Sequence, residues 1–205
     1  MIEIQSNIAI VILAAGASKR MGQPKQLLQW GDDTLIDHAI KIASKVNPKE
    51  LIVVLGAHFE LIKNEIENSN VTIINNQNWE KGLGTSIACA VEHIENSKFK
   101  VDGVLITLCD QPLITSDFLK SIVSKFQSNT NQIIATSYQN GKQGVPALFD
   151  KVYLNELITL SDGQGAKDIL QKYHTQVEAL LPPTENIDLD TNEDYINLYQ
   201  SKFKK

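Results

Sequence analysis

The sequence predicts an α/β fold: three layers, α/β/α, with helices covering both faces of a mostly parallel, Rossmann-like sheet. Two observations carry that prediction. Short apolar runs rich in β-branched residues recur at residues 8–13, 51–55, 71–74, 101–108 and 132–136, and the stretches between them place apolar residues at helical spacing. Strands that are apolar at nearly every position need cover on both faces, and alternating amphipathic helices supply it. The 205 residues show no internal repeat, low-complexity tract or linker, so one domain over 1–205 is expected.

The elements follow in order. The first strand, Ile8-Ala-Ile-Val-Ile-Leu13, delivers its end into a loop of small residues. Leu35, Ile36, Ala39, Ile40 and Ala43 then mark one helical face, and Phe59, Ile62 and Ile66 a second, on either side of strand 51–55. After strand 71–74, Ile87, Ala90, Val91 and Ile94 form a third face, opened by Gly82-Leu-Gly-Thr-Ser86. Strand 101–108 leads to a fourth face of Phe118, Leu119, Ile122, Val123 and Phe126, with Thr115 placed as its N-cap. Past residue 138, Gly141, Gly144, Pro146, Gly163 and Gly165 break the pattern into loops, short helices and a short strand near 145–149. Thr191, with Asp194 three residues on, starts a last helix.

Composition narrows the function. A hydrophobic content of 42% supports a sizeable core, and a formal net charge of −5 argues against general nucleic-acid binding, which wants a basic face. Cys89 and Cys109 form no C-x-x-C pair, and the N-terminus has no signal-peptide pattern, so a reducing cytoplasm is the expected setting. No apolar stretch reaches the ~20 residues that a membrane helix needs. A monomer or weak dimer is expected.

The junction behind the first strand is the most informative feature. Residues 13–25 read Leu13-Ala14-Ala15-Gly16-Ala-Ser18-Lys-Arg20-Met-Gly22-Gln-Pro-Lys25. Small side chains let backbone N–H groups approach phosphate oxygens, and Arg20 and Lys25 can neutralise a polyphosphate. The Gly-Lys-Ser/Thr ending of a Walker loop is missing, and Gly16 and Gly22 do not make a G-x-G-x-x-G fingerprint. The residue types by themselves also allow a solvated strand-to-helix loop.

Asp110 emerges from the fourth apolar run and precedes Gln111-Pro112. A carboxylate there suits Mg²⁺, which takes one or two carboxylates plus phosphate oxygens, while a turn or capping role is the alternative. Asp188-Leu189-Asp190 sets two carboxylates on one side of an extended segment, able to share that metal, or else Asp190 caps the last helix. Gly82, Gly84, Thr85 and Ser86 offer N–H groups and hydroxyls to a base, ribose or phosphate, or form an ordinary helix start. Histidines 38, 58, 93 and 174 have no metal-ligand spacing, Ser18 lacks a nucleophile-elbow context, and Cys109 reads as packing. Trp30 and Trp79 read as packing residues, Trp79 near enough to Gly82 to border a ligand. In open α/β sheets ligands sit outside the carboxyl ends of the strands, so loops 14–25, 76–86 and 109–112 are expected to meet at one edge.

The run LAAGASKRMGQPKQLL, with GLGTS, LCDQPLIT, GVPALF, GAKDIL and DLDTNEDY downstream in order, resembles the nucleotidyltransferases that act on molybdenum cofactor. The resemblance spans residues 8–198. It implies a nucleotidyltransferase fold, with a mainly nucleotide-binding half (1–110) and a mainly acceptor-binding half (111–205). Ala14-Ala15-Gly16 matches the branch that uses CTP, against the Ala-Gly-Gly of the GTP branch. On this resemblance Leu13 to Gly16 contact base and ribose, with Gly82 to Ser86 completing the pocket. Arg20 and Lys25 bind the triphosphate, and Asp110 with Asp190 and Asp188 holds Mg²⁺ or Mn²⁺. Gly144-Val-Pro146 and Gly165-Ala-Lys167 face a molybdopterin-type acceptor, whose product would pass to a molybdoenzyme of the xanthine dehydrogenase type. The chain departs from the family at Asn192, usually Pro, at Asp162-Gly163, usually in the reverse order, and at Gln111, often Met. Competing readings are a sugar- or alditol-phosphate nucleotidyltransferase, a non-catalytic cofactor carrier and a nucleotide-sensing module.

Overall fold

In a computed structural model, residues 7–139 and 141–204 are described. The first half contains β1 (Ile8–Leu13), β2 (Gln29–Trp30), β3 (Asp33–Thr34), α1 (Leu35–Ser44), β4 (Glu50–Leu55), α2 (Phe59–Ile66), β5 (Thr72–Asn75) and α3 (Leu83–Asn96). The second contains β6 (Gly103–Leu108), α4 (Ser116–Lys125), β7 (Ile133–Ser137), β8 (Gln143–Asp150), α5 (Leu154–Leu157), α6 (Ala166–Lys172), β9 (Val177–Leu180) and α7 (Asn192–Phe203). Seven strands form one sheet in the order β5-β4-β1-β6-β8-β7-β9, and β2 pairs with β3 in a separate hairpin. Only β8 runs against its neighbours; the other pairings in the large sheet are parallel. The mostly parallel, helix-covered sheet predicted from the apolar runs is the one observed.

β1 shows why its run is continuous. All six of its residues are buried. Ile8, Ile10 and Ile12 pack with Ile36 and Ile40 of α1, Ile62 of α2 and Phe118 of α4, whereas Ala9, Val11 and Leu13 pack with Ile87 and Val91 of α3, Leu157 of α5 and Ile169 of α6. A truncation such as Ile10→Ala in this doubly covered strand should cost about 2–5 kcal/mol. A third, smaller core joins Trp30, Leu35 and Leu189 to Tyr195, Leu198 and Tyr199, tying α7 over the hairpin.

The chain steps outward from β1 to β4 and β5, then returns to place β6 on the other side of β1. Strand order therefore reverses between β1 and β6, and the carboxyl ends of those two strands open on the crevice where α/β sheets bind ligands. The helix starts read from the sequence are present: Thr115 accepts from the Phe118 N–H, and Thr191 and Asp194 cap one another reciprocally.

Three features differ from expectation. The short strand near 145–149 is an eight-residue central strand, β8, inserted antiparallel between β6 and β7. Its glycine and proline read as loop because they serve an irregularity: the β7–β8 register shifts between Ala135 and Thr136, opposite Val145-Pro146. A Cβ on Gly144 would lie 2.8 Å from the Tyr138 ring, so glycine there lets the ring close on the strand. The β2–β3 hairpin and edge strand β9, two and four residues per strand, are too short to show a periodicity.

Candidate active site

Backbone contacts fix the loop after β1. The Ala14 N–H donates to the Val54 carbonyl (2.9 Å) and the Ala57 N–H to the Ala15 carbonyl (3.0 Å), so the loop leaves β1 braced against the end of β4. Glycine is required at 56, where a Cβ would lie 2.5 Å from Trp79 Cβ and 2.9 Å from the Ala15 carbonyl. Gln26, only 1% exposed, donates through Nε2 to the carbonyls of Ala14 (2.8 Å) and Gly16 (2.9 Å). Ser18 adopts a left-handed conformation (φ 53°), and its Oγ accepts from the Lys25 N–H at 3.2 Å. The Ser18 hydroxyl thus shapes the loop. Gly22, at φ 66°, takes the left-handed turn that brings the chain back toward Lys25.

The charges gather where the loop meets β6. Lys25 Nζ is ion-paired with Asp110, lies 3.6 Å from Asp190 and donates to the Leu189 carbonyl at 3.1 Å. Arg20 pairs with Asp190 at 2.9 Å. The Leu189 N–H donates to the Asp110 carbonyl (3.0 Å), so the 188–190 segment docks on the end of β6 with Leu189 buried and both aspartates beside the cluster. Asp190 does not cap α7; Thr191 does. Arg20, Lys25, Asp110, Asp188 and Asp190, read separately along the chain, come together here.

Burial pushes the Asp110 carboxyl above the usual carboxylate range against the opposing attraction of Lys25, and the nearby Asp188 charge adds to the rise. Burial by itself would lower the Lys25 ammonium, but the contact with Asp110 carries it above its ordinary value. Asp110 Oδ1 is buried with no hydrogen-bond partner among the described residues. Among those residues no three His, Cys, Asp or Glu side chains group as a metal cage. One buried carboxylate oxygen in want of a partner, with the Asp190 carboxylate joined to the same lysine, suits a hard divalent cation that takes one or two carboxylates and completes its shell with water and phosphate oxygens. The Cys109 thiol, buried beside Asp110, is pushed far up by burial and stays protonated, in keeping with a packing role.

At the start of α3, Gly82 takes φ 106°, ψ −179°, a conformation reserved for glycine. A Cβ on Gly84 would sit 2.6 Å from the Ser161 carbonyl and 2.8 Å from the Gln164 carbonyl, so its smallness lets the 161–165 loop close on the helix. The Thr85 hydroxyl donates to the loop carbonyls of Asn78 and Gly82, and Asn76, 3% exposed, donates to the Thr85 and Ser86 hydroxyls (3.0 and 2.9 Å). These hydroxyls hold the loop in shape.

A cavity of about 370 Å³ opens between these pieces. Leu13, Leu83, Ile87 and Leu108 supply apolar walls, while Gln111, Tyr138, Asp188 and Lys167 bring polar groups to it. Lys142 lies in the turn between β7 and β8 rather than on this lining. Sequence reasoning missed Gln26, Asn76 and Tyr138 altogether, and noted Gln111 only as a departure. A buried glutamine carries no pattern that separates it from a surface one. Neither of two histidines with side-chain partners is on this lining: His38 contacts the Pro112 carbonyl at 3.0 Å and His93 pairs with Glu50 at 2.8 Å.

A small-residue loop, a cation pair and a strand-end carboxylate at the switch point of a parallel sheet are the parts of a nucleotidyltransferase, and this chain is one. It belongs to the MobA-like NTP transferase domain family, whose model matches residues 10–177. The molybdenum cofactor cytidylyltransferase of Escherichia coli (strain K12) is 31% identical over 196 residues, covering 93% of this chain and 95% of that protein. Among solved structures, the Rv0371c protein of Mycobacterium tuberculosis H37Rv superposes with a TM-score of 0.82 at 25% identity, covering 95% of this chain and 98% of the other. A nucleotidyl transferase from Methanothermobacter shares the fold, with a TM-score of 0.81 at 19% identity and 95% and 96% coverage. No helix among the described residues is long and apolar enough to cross a membrane.

Proposed function

We propose that this enzyme transfers CMP from CTP to the terminal phosphate of a molybdopterin-type acceptor and releases pyrophosphate. The observation that carries the reading is the Arg20–Asp190–Lys25–Asp110 cluster, gathered where the loop after β1 and the 188–190 segment meet the end of β6. Similarity to the E. coli cytidylyltransferase over nearly the whole chain supports CTP and the acceptor class.

An oxygen of the acceptor phosphate attacks the α-phosphorus of CTP, and the bond to the β-phosphate bridge breaks. The attacking phosphate is already ionised at neutral pH, so no strong general base is needed. That agrees with a site whose nearest thiol stays protonated and whose cavity lining has no histidine among the described residues. Lys25 and Arg20 neutralise the charge that develops on the departing pyrophosphate, and the loop fixes the nucleotide for in-line displacement. Asp110, with Asp188 and Asp190, would hold Mg²⁺ or Mn²⁺, which when bound supplies further charge neutralisation to the phosphates. Lys25 now rests on Asp110, so triphosphate binding exchanges one anionic partner for another.

The test is pyrophosphate release with Mg²⁺ and molybdenum cofactor, comparing CTP, GTP, ATP and UTP in parallel. Release with CTP well above the rest is expected. Equal use of all four, or release only with a sugar or alditol phosphate as acceptor, would overturn it. Tight CTP binding without turnover on any acceptor would point to a carrier or sensor.

A further inference from the structure

The Lys25 ammonium sits among oxygens. It is ion-paired with Asp110, donates to the Leu189 carbonyl at 3.1 Å and lies 3.6 Å from Asp190 Oδ1. Two carboxylates and a backbone carbonyl are also what a hard divalent cation takes as ligands. The Lys25 and Asp110 side chains are 14% and 15% exposed, against 65% for Arg20 and 45% for Asp190. The ammonium therefore holds the inner position of the cluster and the Arg20 guanidinium the outer one.

The backbone beneath the lysine is anchored. Its N–H donates to Ser18 Oγ at 3.2 Å, and its carbonyl accepts from the Leu28 N–H at 3.0 Å. The oxygens around the ammonium are held as well, because the Leu189 N–H donates to the Asp110 carbonyl at 3.0 Å. What is free to change place is the flexible four-carbon stem of the lysine. An ammonium and a divalent cation cannot share these oxygens, since like charges in contact repel strongly in a half-buried site. One must leave before the other enters.

We propose that Lys25 is a placeholder: in the free enzyme its ammonium occupies the divalent-cation position between Asp110, Asp190 and the Leu189 carbonyl, and vacates it when a triphosphate offers the ammonium another anion. This rests on the metal and triphosphate roles proposed above and adds an order to them, with metal entering together with nucleotide. The exchange keeps the buried Asp110 carboxylate paired with a cation in both states, and an unpaired buried charge is costly. The consequence has an unusual sign. Removing the lysine that serves the chemistry should strengthen metal binding to the free enzyme.

The probe is Mn²⁺ alone, titrated without nucleotide near neutral pH, with the free ion read by electron paramagnetic resonance. Lys25→Met is expected to bind Mn²⁺ about tenfold or more tightly than the wild type. Arg20→Met removes the same unit of charge from the exposed outer position and should change the affinity by less than about threefold. Adding Asp110→Asn to Lys25→Met should abolish the gain. Equal affinity in the wild type and Lys25→Met overturns the placeholder. So does equal tightening by Lys25→Met and Arg20→Met, which would mean general charge rather than occupancy, and so does a gain that survives Asp110→Asn. These outcomes leave the transferase reading standing, because metal-dependent pyrophosphate release by the wild type tests it separately. Absence of that release overturns the transferase reading whatever the Mn²⁺ titrations give. If Lys25→Met does not fold, Lys25→Gln, neutral and able to hydrogen-bond Asp110, takes its place in the same comparison.

Discussion

Residues 14–26 and the segments around Tyr138 meet through Asp110, Gln111 and the 188–190 segment and are assembled in different ways. The nucleotide side is one short piece of chain: Gln26 takes the Ala14 and Gly16 carbonyls, Ser18 takes the Lys25 N–H, and Lys25 and Arg20 rest on aspartates, with Gln26 Oε1 and Asp110 Oδ1 left buried without a partner among the described residues. The Tyr138 side is assembled from residues 111, 138, 145, 186 and 188, far apart in sequence, and there too two oxygens, of Gln111 and Asn186, are buried without a partner among the described residues. A loop that receives a strongly charged triphosphate can afford internal ion pairs, because the ligand displaces them with charge of the same sign. The Tyr138 side holds its shape through hydrogen bonds between segments up to 77 residues apart, which no local stretch of chain supplies by itself.

Substitutions at the charge cluster should have the largest effect. Asp110→Ala and Lys25→Ala are each expected to lower pyrophosphate release by about 10²–10³-fold, roughly 3–4 kcal/mol of transition-state stabilisation. Circular dichroism should show that both variants retain the fold. Near wild-type release from either would remove the cluster from the chemistry and leave the comparison without its first term.

Gln26→Ala tests whether the loop is held by that side chain. Two hydrogen bonds disappear and two carbonyls lose their partner, so a stability loss of about 2–3 kcal/mol is expected in thermal or urea unfolding. KM for CTP should rise while KM for the acceptor stays put. A rise in the acceptor KM alone would mean that the two sides are not separately built.

A subtler expectation concerns pH. Burial lifts the Asp110 carboxyl above the usual carboxylate range. Its ionised form is the one that takes part, so activity is present above that folded value and is lost as pH falls through it. The acid limb of kcat/KM for CTP should lie above the ~4 of an ordinary carboxylate, and a limb at or below that value would count against the role of Asp110.

The smallest effect belongs to Tyr138, whose hydroxyl is pushed up to about 12, first by burial and then by the Asp188 charge. A folded pKa above the unfolded one, near 10, makes its contribution complete below pH 10 and lost as pH rises toward 12. Stability of the wild type should therefore fall more steeply over pH 10–12 than that of Tyr138→Phe. Parallel slopes would mean that the hydroxyl is not confined as the network requires.

The sequence by itself determined the layers and one side of the site. Ile8 to Leu13 is apolar at every position, and only a strand covered on both faces accommodates that. Short-range spacing then placed Arg20, Lys25 and Asp110 at strand ends on a common edge. Tertiary structure decided what depends on distant segments meeting. It inserted β8, whose Gly144 and Pro146 read as loop, between β6 and β7. It brought Leu189 down onto β6, so that Asp190 faces Arg20 and Lys25 while Asp188 faces Gln111. It also gave Asn192, a departure from the family's proline, a bond to the Met21 carbonyl at 3.2 Å, 171 residues away in sequence. Hydrophobic periodicity is a local property and survives in the sequence. The partner of a buried amide or carboxylate is set by which segments the folded sheet carries side by side, and no spacing along the chain records that.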